Sequence, residues 1–225
     1  MNKFKGLRQA CHFGPTLIVT AIAFGFGTYY WWEGPAYVIA FTVATGQLVV
    51  GWSNDLYDYK DDLAHNRTNK PLVSGLITPQ YLMKWLRFMV PFSFIANLLG
   101  PLGIKGGLVY MLGIACGVVY NFYFKFSLLS PLPYALAFAA LPSSVAISKD
   151  VTPPVWMWLG GALFGMAAHF INVIKDMEQD QVSGIQGLPQ RLGTKKSIFT
   201  AITLIAAGIL VASNSQLCGA LLERP

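Results

Sequence analysis

Apolar residues run in long blocks along this chain, and the charged residues are confined to the stretches between them. A helix needs about 20 mostly apolar residues to cross a bilayer. Segments of that kind predict about seven spans, over 15–32, 34–53, 81–100, 104–122, 132–147, 155–174 and 198–213. The expected fold class is all-α: a multi-pass transmembrane helical bundle forming a single domain over residues 1–225. Lys84 and Arg87 place the first turns of the third span at the interface. The start resembles a signal peptide, because Lys3, Lys5 and Arg8 precede an apolar run and Ala21-Ile22-Ala23 imitates a cleavage site. That tripeptide sits mid-run, and the run continues to Trp32, so the segment reads as an uncleaved first span.

Composition supports this reading. The 225 residues are 54% hydrophobic and only 12% charged, where soluble domains carry about a quarter. The net charge of +6 reads as a basic cytoplasmic face against anionic lipid, and no nucleic-acid partner is expected. With the N-terminus inside, thirteen of the sixteen Lys and Arg residues lie inside, and only Lys105, Lys149 and Arg224 lie outside. The three cysteines, Cys11, Cys116 and Cys218, have no metal-like spacing and imply neither a disulfide framework nor a zinc site.

The same orientation puts two acidic clusters, about 120 residues apart, on the inner face. Only Glu33, Asp150 and Glu223 fall outside. Asn54, Asp58 and Asp62 are spaced i, i+4, i+8, and so are Asn172, Asp176 and Asp180. If the second and sixth helices continue past the membrane, each triplet shares one face, one turn apart. Pro71 and Pro189 each fall nine residues after the last Asp of their cluster, a weak internal repeat. Facing carboxylates repel one another unless cations intervene, and hard oxygen ligands suit Mg²⁺ held together with substrate phosphates. Metal ions of that kind, with a diphosphate between them, would neutralise the leaving group.

Cations follow each cluster. Arg67 and Lys70 precede a Pro71-Leu72-x-x-Gly75 turn that suggests a fixed loop, and both suit phosphate oxygens. Lys125 ends the fourth span, and Arg191, Lys195 and Lys196 follow the second cluster; Lys195 and Lys196 read as topology and lipid contacts. Trp52 and Tyr123 are candidate cavity aromatics able to stabilise a cation by cation–π attraction, with an interfacial aromatic belt or bundle packing as the alternative. His169 is open to two readings, proton acceptor or interhelical hydrogen bonder. Gln47 lies two turns before Asp55 and could share its cavity. Gly160, Gly161, Gly165 and Ala168 read as close helix packing.

Together these residues resemble the UbiA-type intramembrane prenyltransferase superfamily. Its first motif, NDxxDxxxD followed by a basic Pro-Leu stretch and a Gly, is similar to Asn54, Asp55, Asp58, Asp62, then Arg67-Thr68-Asn69-Lys70-Pro71-Leu72 and Gly75. Its second motif, DxxxD followed by Gly, Leu-Pro and Arg-Leu-Gly, is similar to Asp176, Asp180, Gly184, Leu188-Pro189 and Arg191-Leu192-Gly193. Tyr120 to Lys125 resembles the family's Tyr-containing, Lys-ended fourth span. The resemblance covers roughly residues 10–200. Lys70 stands where many members carry Arg, which keeps the charge but loses the bidentate fork.

The resemblance implies a Mg²⁺-dependent enzyme that ionises a prenyl diphosphate. Asp55, Asp58, Asp62, Asp176 and Asp180 would hold metal, with Asp58, Asp62, Asp176 and Asp180 as the catalytic carboxylates. Asn54, Asn172, Arg67, Lys70, Lys125 and Arg191 would bind the substrate. The prenyl group then passes to an aromatic, alcohol or other small lipophilic acceptor. A member that cyclises the substrate without an acceptor is the alternative, and a non-catalytic member is a second. A phosphatidyl-alcohol transferase is excluded, since its Asp-Gly-x-x-Ala-Arg sequence is absent. The family usually has nine spans, so two would be missing here. The expectation is a truncated product, a compact variant or a bundle completed by a second copy of the chain.

Overall fold

The structure, a computed structural model, describes residues 3–222, with side chains through Asn214. Glu223 and Arg224 lie outside the described residues, as does the side chain of Cys218. The described residues are helical and contain no strand: α1 (Lys3–Ala10), α2 (Phe13–Tyr30), α3 (Glu33–Ala64), α4 (Pro79–Leu99), α5 (Gly103–Phe122), α6 (Pro131–Ile147), α7 (Gly161–Val182), α8 (Leu188–Leu192) and α9 (Thr194–Leu222). A 3₁₀ turn covers Phe124–Phe126, and a π turn, Trp156–Gly160, leads into α7.

Each of the seven predicted segments falls on a helix. Among the described residues five helices are long and apolar enough to cross a membrane: α3, α4, α5, the π turn with α7 (Trp156–Val182), and α9 over Thr194–Asn214. α1 and α2 make a sixth only if taken together across a 68° bend. α6 has 17 residues, about 25 Å at 1.5 Å per residue, short of a hydrocarbon core of about 30 Å. A count of seven complete spans is therefore not what the helix lengths give.

Packing divides the chain into two compact units, with the boundary inside α5 between Ile114 and Ala115. In the first, α3 packs between α2 and α4, and α1 lies against α2 and α3. Gly27 allows the α2–α3 approach, since a Cβ there would meet the Ala36 Cα at 2.9 Å. Polar bonds tie the helices where apolar burial gives no drive in lipid. Asn97 Nδ2 donates to the carbonyls of Thr42 (3.1 Å) and Ser93 (2.8 Å), and the Tyr110 hydroxyl donates to the Val43 carbonyl at 2.8 Å. Gln47 Nε2 donates to that hydroxyl at 3.3 Å, so it serves the α3–α5 contact.

In the second unit α7 packs on α6 and α9, and α8 sits against both α7 and α9. The predicted small-residue contact is present. A Cβ on Gly161 would meet the Phe138 carbonyl at 2.6 Å, and one on Gly165 would run into the Tyr134 carbonyl.

Two helices outrun their predicted spans. α3 continues unbroken from its apolar stretch through Asn54–Ala64, and α7 continues through Asn172–Val182. Both acidic clusters are therefore helical, and each Asn/Asp/Asp triplet lies along one helix face.

Candidate functional site

The first acidic cluster is built on the last three turns of α3 and the loop after it. Asn54 Nδ2 donates to Asp58 Oδ2 at 3.0 Å, one turn on. Asp62 is buried, and its Oδ1 accepts from Arg67 Nη1 at 2.8 Å, while the Arg67 backbone N–H donates to the Asp62 carbonyl at 2.9 Å. Arg67 Nη2 also stands 3.6 Å from Asp61. Asn66 adopts a left-handed conformation (φ 51°), which turns the chain back so that Arg67 meets the helix it has just left.

Asp55 is enclosed as well, with its side chain 3% exposed. Its Oδ1 accepts from Lys70 Nζ at 2.9 Å and from His12 Nε2 at 3.2 Å, while Oδ2 is buried with no hydrogen-bond partner. Burial works against the Lys70 ammonium, but the carboxylates around it, Asp55 first and then Asp62 and Asp58, together outweigh it and leave the Lys70 pKa raised. The loop bearing Lys70 is anchored by Leu72 and Ile77, which enter an apolar cluster with Ala10, Cys11, Trp52 and Leu82. Gly75 makes its turn at φ 73°, a conformation glycine adopts freely. Thr78 then caps α4, its hydroxyl accepting from the Tyr81 N–H at 3.2 Å, with Pro79 at the first helical position.

Trp52 belongs to that cluster. It is 4% exposed, and its Nε1 donates to the Leu7 carbonyl at 3.0 Å. Those are the surroundings of a packing residue fixing α1 to α3, which is the second of the two readings the sequence left open for it.

The second acidic cluster lies in the other unit. Asn172 is hydrogen-bonded to the Tyr134 hydroxyl, Asp176 is exposed, and Asp180 Oδ2 accepts from Gln190 Nε2 at 2.8 Å. The Ile185 N–H donates to the Asp180 carbonyl at 2.9 Å, and Gly184 (φ 70°) turns the chain toward α8. Arg191 Nε donates to the Gln186 carbonyl at 3.0 Å. Gln181, Ile185, Gln186, Gln190 and Arg191 line an open pocket of about 340 Å³.

His169 is fully enclosed, with its Nε2 on Ser130 Oγ at 3.0 Å. The same Ser130 oxygen accepts the Leu188 N–H at 3.0 Å, so this histidine ties α7 to the start of α8. Its ring packs on Tyr120, Tyr134 and Phe170. That is the hydrogen-bonding reading of His169. Lys125 is buried in the 3₁₀ turn with its ammonium 5.2 Å from the Phe126 ring centroid, and Tyr123 is exposed beside Phe124. Sequence reasoning missed three residues of these surroundings, His12, Ser130 and Gln190, and of these only Gln190 had a signal, its place between the Leu-Pro and the Arg of the second motif.

No group of three or more His, Cys, Asp or Glu side chains converges on a common point among the described residues. In the first cluster the charge is balanced by cations instead, Lys70 on Asp55 and Arg67 on Asp62. The donors remain the hard oxygens that Mg²⁺ takes, and the unpartnered Asp55 Oδ2 is one still available.

The sequence profile of the UbiA prenyltransferase family matches residues 11–222. The chain belongs to the UbiA prenyltransferase family. It is 23% identical over 192 residues to the digeranylgeranylglyceryl phosphate synthase of Natronomonas pharaonis, covering 80% of this chain and 66% of that protein. It is 28% identical over 171 residues to the 4-hydroxybenzoate octaprenyltransferase of Saccharophagus degradans, covering 74% of this chain and 56% of that one. The chain thus spans between about half and two thirds of the length of these curated relatives. Its fold is that of a UbiA homologue from Archaeoglobus fulgidus whose solved structure is bound to DMAPP and Mg²⁺. The TM-score is 0.78 at 19% identity, over 97% of this chain and 78% of that one. The helices and the family together make this an integral membrane protein.

Proposed function

We propose that the chain is a Mg²⁺-dependent membrane prenyltransferase, its two units serving as one catalytic domain, which ionises a prenyl diphosphate and transfers the prenyl group to an aromatic or other small acceptor. One observation carries the reading. The acidic face of α3 is paired with two cations of an anchored loop, Lys70 on Asp55 and Arg67 on Asp62. The relatives' activities and the DMAPP and Mg²⁺ of the A. fulgidus homologue support it.

In this reading Asp55, Asp58, Asp62, Asp176 and Asp180 hold the metal, with Asn54 and Asn172 in support. When bound, Mg²⁺ neutralises diphosphate charge and makes it a better leaving group. Arg67 would offer its guanidinium to diphosphate oxygens, while Lys70 would keep one N–H on Asp55 Oδ1 and offer its remaining donors to the same anion, so the buried carboxylate keeps a partner. Lys125 and Arg191 add positive charge for the same anion. The carbon–oxygen bond of the substrate breaks, and its electron pair leaves with the diphosphate. An electron pair of the acceptor forms the new bond to the prenyl carbon, and the acceptor releases a proton. In this reading the Asp motifs face the cytoplasm, the side that the distribution of Lys and Arg favours.

The test is diphosphate release by the purified chain with Mg²⁺ and DMAPP or geranyl diphosphate. It is run with and without a phenolic acceptor, with mass spectrometry of organic extracts and Asp58→Asn as the blank. Acceptor-dependent release with a prenylated product supports transfer. A cyclic terpene formed without acceptor would reassign the chain as a cyclase. Absence of Mg²⁺-dependent release across prenyl diphosphates and acceptors would overturn the enzymatic reading.

A further inference from the structure

His12 belongs to none of the motifs, yet it touches the first of them. It stands in the two-residue break between α1 and α2 with φ 53°, a left-handed conformation that a residue with a Cβ keeps only when its surroundings impose it. Those surroundings are explicit. The Leu7 carbonyl is held by the Trp52 indole. The Cys11 backbone lies so close to Gly51 that a Cβ there would meet its carbonyl carbon and oxygen at 2.8 Å. Thr16 Oγ1 donates to the same Cys11 carbonyl at 2.7 Å. The N-terminal arm is thereby seated on α3 one turn before Asp55.

What this seating delivers is a hydrogen bond. His12 Nε2 lies 3.2 Å from Asp55 Oδ1, and because an ionised carboxylate only accepts, the ring presents Nε2–H. Lys70 Nζ takes the same oxygen at 2.9 Å. Two donors on one oxygen fix the rotation of the carboxylate, and the other oxygen, Oδ2, is left buried and without a hydrogen-bond partner.

We infer that His12 is a positioning residue for the first Asp motif: together with Lys70 it sets the Asp55 carboxylate so that Oδ2 is the oxygen presented to a divalent cation. The inference rests on the reading of Asp55 as a metal ligand. It adds that the arm before the first apolar helix, outside both motifs, tunes the affinity of that ligand. Outer-shell partners that orient a ligand typically change metal affinity by about 10- to 100-fold.

The test measures Mn²⁺ binding to the full chain in detergent by electron paramagnetic resonance, alongside thermal unfolding. His12→Gly removes the donor and also relieves the left-handed backbone. It is expected to leave thermal stability at or above that of the unsubstituted chain while weakening Mn²⁺ binding about tenfold or more. His12→Gln places a donor nitrogen at about the reach of Nε2 and is expected to recover most of the affinity, whereas His12→Asn tolerates the backbone but falls short and is expected not to. Mn²⁺ binding unchanged in His12→Gly, or His12→Gln no better than His12→Asn, would overturn the inference while leaving the metal reading standing. An unsubstituted chain that binds no Mn²⁺ would overturn the metal reading of Asp55 and the inference with it.

Discussion

Asp58 accepts the Asn54 amide one turn away, so Asp58→Asn keeps the size and polarity of the side chain and removes its charge. Diphosphate release is expected to fall about 100-fold or more, the usual scale for losing one charge-stabilising group, with the helices still folded by circular dichroism. Lys70 makes a different prediction. Lys70→Met strands the buried Asp55 carboxylate with His12 alone, at a cost on the order of 3–5 kcal/mol. Adding Asp55→Asn is expected to return much of that stability, which a double-mutant cycle on thermal midpoints measures. The pH dependence follows from the raised Lys70 pKa. A group whose folded pKa lies above its unfolded value of 10.5 contributes fully below that value and loses its contribution as pH climbs through the folded one. The pair is therefore expected to stabilise the chain equally across about pH 6–9. At this scale the sequence was half legible. The spacing of Asn54, Asp58 and Asp62 placed them on one face, and Arg67 meets Asp62 only five residues away. The bonds of Asp55 were not legible, because spacing within one helix cannot name a partner 15 or 43 residues distant.

The helices themselves were legible wherever apolar length was the signal, and less so at their breaks. The apolar run after Arg8 gave no cue that the chain turns by 68° at Cys11 and His12, since the turn is imposed by packing on α3. Glycine positions separate backbone effects from packing at this scale. Nothing lies within 4 Å of a Cβ at Gly75, so Gly75→Ala meets only the left-handed penalty of its φ of 73°, about 1–2 kcal/mol. It is expected to lower the thermal midpoint and loosen the loop that carries Lys70, read as faster hydrogen exchange over residues 70–77. Gly165 is the converse. Its backbone is ordinary helix, but a Cβ would collide with the Tyr134 carbonyl and meet the Phe138 Cβ at 2.7 Å. Gly165→Ala is expected to push α6 from α7 at a cost of about 1–3 kcal/mol. Gly14→Ala, with ordinary φ and open space around it, is expected to change little in the same thermal assay.

Across the whole chain, the exterior is what the composition foretold: Leu99, Phe199, Phe88 and Leu17 are all more than half exposed, a surface that only lipid solvates well. The division into two units at α5 left no trace in composition, because apolar blocks look alike on either side of Ile114. The proposed function needs both motifs on one side of the membrane, an expectation that rests on the distribution of Lys and Arg. Single cysteines on a background without Cys11, Cys116 and Cys218 test it, placed at Lys60 within the first motif, at Lys195 after the second and at Lys149 between α6 and α7; all three positions are exposed. A membrane-impermeant maleimide applied to intact cells is expected to label Lys149→Cys alone, and to reach Lys60→Cys and Lys195→Cys only after lysis. Labelling of Lys60→Cys and Lys195→Cys but not Lys149→Cys on intact cells would reverse the orientation, and labelling of all three would randomise it. Labelling that separates Lys60→Cys from Lys195→Cys would place the two Asp motifs on opposite sides of the bilayer, and then no single diphosphate could be served by both.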